Sequence, residues 1–200
     1  MTGAGADSLT DLELVRRAQA GDTPAFEELV ARNRRAVFRA ALAALGNASE
    51  ADEVAQEAFV AAYQKLGSFR GEAAFRTWLL SIAWRKAIDR RKSLTRWFRL
   101  TSTPRDADEH TEDLVERIAS QDRSQEDALA RDELQVQLRR LIATLPVKLR
   151  QTLLLAGSGD YSYEQIAAML DTPVGTVKWR VSEAKRVLKK KLEALGNTHG

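Results

Sequence analysis

Apolar residues recur at intervals of three and four along most of the chain, and no sustained period-two run rich in β-branched residues interrupts them. That spacing predicts an all-α protein. Between Thr23 and Leu45 the residues Phe26, Leu29, Val30, Val37, Phe38, Ala41, Leu42 and Leu45 form one stripe, which Gly46-Asn47 ends. Ser49 and Asp52 have capping-box spacing and predict the start of a second helix, whose stripe is Val54, Ala55, Ala58, Phe59, Ala62, Tyr63 and Leu66 before Gly67 stops it. After the aromatic loop GSFRGEAAF a third helix is expected from about Phe75 to Lys92. With a short helix around Asp11 to Ala20, these make an N-terminal bundle.

From residue 93 to about 126 the periodicity lapses into Ser, Thr, Pro and acids, the composition of a flexible linker. The expected organisation is therefore a domain over residues 1–92, an acidic linker over 93–126 and a smaller helical domain over 127–200. In the last of these, Leu129, Leu134, Leu138, Leu141, Ile142 and Leu145 restore helical spacing, and Pro146 opens a fresh helix that ends near GSGD. Ser162 and Gln165 then form an S-x-x-Q capping box for YEQIAAML. A four-residue turn, Asp171 to Val174, leads to another helix for which Thr172-Pro173 supplies a cap and an N1 proline. This is the pattern of a helix-turn-helix: Ala167 permits close approach, and Ile166, Leu170, Val177 and Val181 fill the angle between the two helices.

Charge changes this picture from fold to partner. The net charge of +3 conceals a basic, acidic, basic order along the chain. Residues 85 to 105 carry eight Lys/Arg against Asp89, residues 106 to 133 carry eleven Asp/Glu against three Arg, and residues 174 to 192 carry seven Lys/Arg against Glu183. In the last basic run, TPVGTVKWRVSEAKRVLKKK, helical phase at about 100° per residue puts Val174, Val177, Val181, Ala184, Leu188 and Leu192 on one side. Trp179 falls opposite them, with Ser182, Glu183, Arg186 and Lys190 on its side and Lys178, Arg180, Lys185 and Lys189 at the margins. A plain helical hairpin accounts for the spacing but not for the charge. A DNA major groove admits one helix, and its base edges take polar or apolar tips while the flanking phosphates attract Lys and Arg.

The remaining composition excludes chemistry. With no cysteine and only His110 and His199, neither thiolate nor histidine metal sites are expected. No cofactor is implied. No P-loop or paired nucleophile and base is visible, and GSG at 157–159 reads as a loop. A hydrophobic share of 44% without a run of 18 apolar residues, and an N-terminus lacking signal-peptide features, predict a soluble cytoplasmic protein with no membrane insertion.

LPVKLRQTLLL followed by YSYEQIAAMLDTPVGTVKWRVSEAKRVLKKKL resembles region 4 of the extracytoplasmic-function (ECF) sigma factors of bacterial RNA polymerase. The stretch from AFEELVARNRR to SIAWRKAIDRRK resembles region 2 of the same family, so the likeness spans about Leu12 to Leu195. It implies binding to core RNA polymerase and promoter DNA, restraint by an anti-sigma factor, and no catalytic site in the chain itself.

The resemblance also implies roles for particular residues. Asp52, Glu53, Gln56, Glu57 and Val60 match the segment that docks on the polymerase clamp. Phe69, Arg70, Leu80, Trp84 and Arg85 match the part that captures melted minus-10 bases, with Lys86, Arg90, Arg91 and Lys92 for phosphates. Phe75, Trp78, Leu79 and Ile82 are expected in the core. The minus-35 duplex falls to Lys178, Trp179, Ser182, Glu183, Lys185 and Arg186, with Thr176 at a phosphate. Three positions depart from the family's habit. Arg85 stands where many relatives have Asn, Glu183 where a basic residue is common, and Trp179 where a small one is.

The linker of roughly 34 residues spans about 110 Å when extended, enough to let two domains reach separate promoter elements. Family linkers thread a polymerase channel built for a polyanion, which gives the acids an electrostatic reason; a soluble tether explains any single one of them equally. Two rivals come from other classes. A DNA-binding regulator with a similar C-terminal helix-turn-helix explains the second domain but not the first. An all-helical interaction protein, such as an anti-sigma antagonist, leaves the DNA-facing surface unexplained.

Overall fold

The computed structural model describes residues 9–101 and 137–196, and among these only helices and turns occur. Four helices form the first unit: α1 (Asp11–Gln19), α2 (Thr23–Leu45), α3 (Ala48–Lys65) and α4 (Phe75–Thr101), with a 3-10 turn at Leu66–Ser68. Local chemistry sets their ends. Thr10 and Glu13 close a capping box on α1, the Asp22 side chain caps α2 beside Pro24, and Gly46 ends α2 at φ 74°, a conformation costly for any residue with a Cβ. The cap of α3 is Asn47, whose side chain accepts from the Glu50 amide, rather than the expected Ser49. Asn47 is also the residue that follows the Gly46 stop, so one dipeptide ends α2 and starts α3.

The α4 helix continues to Thr101, past the expected end at Lys92. Residues 93–101 contain neither Gly nor Pro, and Pro104 is the first breaker, so nothing in the covalent chain stops the helix at 92. The acids of 106–133, together with Leu129 and Leu134, lie outside the described residues.

Residues 137–143 are helical, and α5 (Val147–Gly157), α6 (Tyr163–Leu170) and α7 (Val174–Gly196) follow. The Ser162–Gln165 capping box is present on α6. Asp171 takes the left-handed conformation (φ 48°) that turns the chain, and the Pro173 carbonyl accepts from the Thr176 and Val177 amides, which puts the proline at the cap instead of N1. Ile166 and Val177 are fully buried where α6 meets α7. A small core of Leu145, Leu149, Ala184 and Leu188 holds the long α7 against α5.

The two units are not separate bodies. Leu155, Tyr161, Ile166, Ala167, Met169 and Val177 belong to one continuous buried cluster with Leu29, Val37, Leu79 and Ala83 of the first unit. The α6 helix packs on α4, and α5 on α2. Polar contacts fasten the seam at the loop between α5 and α6. There the Tyr161 hydroxyl donates to the Ala36 carbonyl at 2.6 Å, Arg39 reaches the Asp160 carboxylate at 2.7 Å, and Arg76 donates to the Asp160 carbonyl at 2.9 Å.

Candidate nucleic-acid interface

The α7 helix presents the face that its phase predicts. Val177, Val181, Ala184 and Leu188 are buried, while Trp179 stands 61% exposed, too open for a core residue. Lys178, Ser182, Lys185 and Arg186 are exposed, and Thr176 is half-buried near the start of the helix. Leu192 departs from the expected stripe and lies exposed, beyond the reach of the small α5 core. Glu183 is tied to Arg186, whose Nε donates at 2.7 Å to its carboxylate and whose Nη2 makes a second bond. That hydrogen bond, and then the Arg186 and Lys190 charges, hold the Glu183 carboxyl below its ordinary range, so it is an anion at neutral pH. The face thus offers an indole, a hydroxyl and a guanidinium already oriented by a carboxylate, between basic margins.

The expected minus-10 residues divide. Arg70 and Arg85 are exposed, and Phe69 is half-buried in an aromatic cluster with Phe75 and Trp78. Leu80 and Trp84 are buried, at 1% and 5% exposure, where an open DNA-facing surface was expected. The reason lies in the partition of α4. Lys86 and Arg90 reach Glu57 on α3 and Arg76 reaches Asn33 on α2, so those two helices cover one arc. Leu80 and Trp84 belong to the same buried cluster as Ile166, Ala167 and Met169 of α6, which packs on α4. Arg91 is half-buried and donates weakly to the Ala44 carbonyl at 3.5 Å, while Lys92 is exposed beside Asp89.

On α3, Asp52, Glu53, Gln56, Glu57 and Val60 share one exposed face, with Val60 57% exposed. Gln56 donates to Asp52 at 2.9 Å. Glu53 and Glu57 pair with Arg90 and Lys86, so two acids expected at the polymerase neutralise two cations expected at DNA phosphates. Tyr63, expected in the buried stripe, stands 49% exposed and packs edge-on against Phe26. Val60 and Tyr63 together leave an apolar margin beside the charged face. Sequence spacing does not single out Arg39, Arg76, Asp160 or Tyr161. Among the described residues no acid, His or Cys cluster could hold a metal ion, and no helix is long and apolar enough to cross a membrane.

Known proteins share this architecture. The family model for sigma-70 region 2 matches residues 29–97, and the model for sigma-70, region 4, matches residues 135–188. The RNA polymerase sigma-H factor of Pseudomonas aeruginosa is 36% identical over 92% of this chain and 95% of its own length. The ECF RNA polymerase sigma-E factor of Escherichia coli K12 is 35% identical over 94% and 97%. Among solved structures, CnrH in complex with the cytosolic domain of CnrY aligns with a TM-score of 0.63 at 24% identity, covering 92% of this chain and 97% of that one. The sigma factor RpoE from Bartonella quintana, in complex with the anti-sigma factor NepR, aligns at 0.56 with 22% identity, covering 84% and 96%. Those two bear on the fold, and the curated relatives reach further: this chain belongs to the ECF sigma factors of the sigma-70 family.

Proposed function

We propose that the chain binds bacterial core RNA polymerase and directs it to promoters, reading minus-35 duplex with α7 and melted minus-10 DNA with α4 and the loop before it. One observation carries this. The second helix of the helix-turn-helix turns its apolar side inward and leaves Trp179, Ser182 and Arg186 exposed between lysines, in a chain whose other half matches sigma-70 region 2. Residues 1–92 supply the polymerase and minus-10 functions, 127–200 the minus-35 function. The α3 face from Asp52 to Val60 meets the clamp.

The polymerase supplies the catalysis, and the chain works in the cytoplasm where its DNA is. An anti-sigma factor restrains it, as the complex of the Bartonella relative with NepR illustrates for that protein. Reconstitution with core RNA polymerase and a promoter library tests the proposal. Promoter-dependent transcripts are expected from the reconstituted enzyme and none from core alone. DNA binding without any binding to core would instead make the chain a free-standing regulator.

A further inference from the structure

The loop between α3 and α4 carries Phe69 and Arg70, yet little inside it fixes its shape. The Phe69 amide donates to the Leu66 carbonyl at 3.0 Å and closes the 3-10 turn, and the Ser68 hydroxyl donates to the Lys65 carbonyl at 2.7 Å. Beyond that point the amides of Arg70, Gly71, Glu72 and Ala73 donate to no backbone carbonyl among the described residues. Arg70 to Ala74 are all exposed, and Gly71 sits at φ 76°, where a side chain is costly. A segment with so few bonds of its own takes one shape only when something outside it holds it.

What holds it comes from α1. The side-chain nitrogen of Gln19 donates to two carbonyls, Leu66 at 2.9 Å and Phe69 at 3.0 Å, which lie 47 and 50 residues further along the chain. A primary amide has two protons, and these two carbonyls bracket the 3-10 turn. Leu12, two turns before Gln19 and so on the same side of α1, stands beside Gly71: a Cβ there would meet its Cδ1 at 3.9 Å. On its other flank the Phe69 ring packs against Phe75 and Trp78, with centroids 5.9 and 5.0 Å away. Arg70 therefore projects from between two held residues.

These bonds do little for the fold as a whole. Gln19 is exposed, one of its two bonds is exposed and the other only part-buried, and such bonds are worth little against water. The α1 helix has its own anchors in Leu14, Val15 and Ala18, all buried. The effect of Gln19 is thus local to the loop.

We propose that Gln19 is a positioning residue for promoter reading: its two bonds fix the 66–74 loop so that Phe69 and Arg70 meet melted minus-10 DNA in one geometry, and base discrimination there depends on α1 acting through the loop. The reading role rests on the function proposed above; the pinning of the loop does not.

Gln19→Met keeps the length and helix propensity of the side chain and removes both donors, whereas Gln19→Lys restores donors for the same two carbonyls. Two measurements on the full-length chain test the pair. Tryptic cleavage after Arg70, followed by mass spectrometry, is expected to quicken about threefold or more in Gln19→Met and to slow again in Gln19→Lys. In holoenzyme reconstituted with core RNA polymerase, transcription from a minus-10 library is expected to lose base preference by about threefold or more in Gln19→Met and to regain it in Gln19→Lys. Melting temperature, competition for core and minus-35 preference should stay as in the natural chain, which a merely structural role would not allow.

Unchanged cleavage after Arg70 in Gln19→Met overturns the pinning. Faster cleavage with an unaltered minus-10 preference overturns the positioning role, as does a loss of preference that Gln19→Lys fails to rescue or that follows a fall in melting temperature or core affinity. If holoenzyme with the natural chain shows no minus-10 preference at all, the function proposed above fails and the reading role with it, while cleavage still reports on the pinning.

Discussion

Arg186 sits three residues after Glu183 on α7 and grips its carboxylate through two nitrogens, with Nε at 2.7 Å. The pair is exposed, so its consequence lies in recognition rather than in stability. Held this way, the guanidinium has less freedom to swing to a guanine edge or a phosphate, and the anion repels the backbone on either side. Glu183→Gln is expected to free Arg186. Affinity for minus-35 duplex should rise for all sequences, with the slope of log K against log salt steeper by about one, and guanine should gain preference at the position Arg186 reaches. Binding to a randomised minus-35 library at several salt concentrations measures both. An unchanged slope and an unchanged preference would remove the pair from the interface.

Trp179 makes the complementary test, since it carries no charge. Its exposure predicts that Trp179→Ala changes folding stability by no more than about 0.5 kcal/mol. If the indole packs on a thymine methyl or a sugar edge, the variant loses preference at one base position while its salt slope stays the same. A thermal melt and the same library separate the outcomes, and an unaltered base preference would leave Trp179 outside direct readout.

What the sequence made legible is what depends on neighbours along the chain. The α2 helix runs from Thr23 to Leu45 as its stripe and its Gly46 stop require, and the Ser162–Gln165 box opens α6 because both partners lie within one turn. Trp179 was legible for the same reason, as one helix carries both its own phase and its core side. Leu80 and Trp84 were not. Their stripe reads as apolar whether DNA bases or protein covers it, and the buried cluster they join includes Ile166, Ala167 and Met169 from the far half of the chain. Likewise the partners of Glu53 and Glu57 belong to another helix, so composition alone shows an acidic face where the fold has partly neutralised it.

Val60 offers the cleanest probe of the polymerase face. It is 57% exposed on α3 and makes none of the ion pairs that tie Glu53 and Glu57 to α4, so Val60→Glu leaves the fold's own contacts intact. Its apolar area is worth having only against a partner. Affinity for core RNA polymerase should fall about tenfold or more in competition with a reference sigma factor, with little change in melting temperature. Equal competition would move the docking surface off this face.

Alkaline pH should loosen the fold through Tyr161. Burial, and next the Asp160 charge, push its phenol above the ordinary value of about 10, against the smaller opposing effects of Arg76 and Arg39. The neutral phenol is therefore favoured in the folded chain, where it donates to the Ala36 carbonyl. Below pH about 10 this contribution is whole. As pH rises above that, the unfolded chain releases the proton while the folded chain still holds it, and stability falls by up to about 1.4 kcal/mol per pH unit from this one group. Tyr161→Phe lacks both the hydrogen bond and the titration. It should be less stable than the natural chain by about 1 kcal/mol at pH 8, and that gap should close by pH 11, because the background titration of other groups is common to both. Chemical denaturation of the two proteins across this range measures the gap; a gap that stays constant would mean that the phenol is not held neutral by the seam.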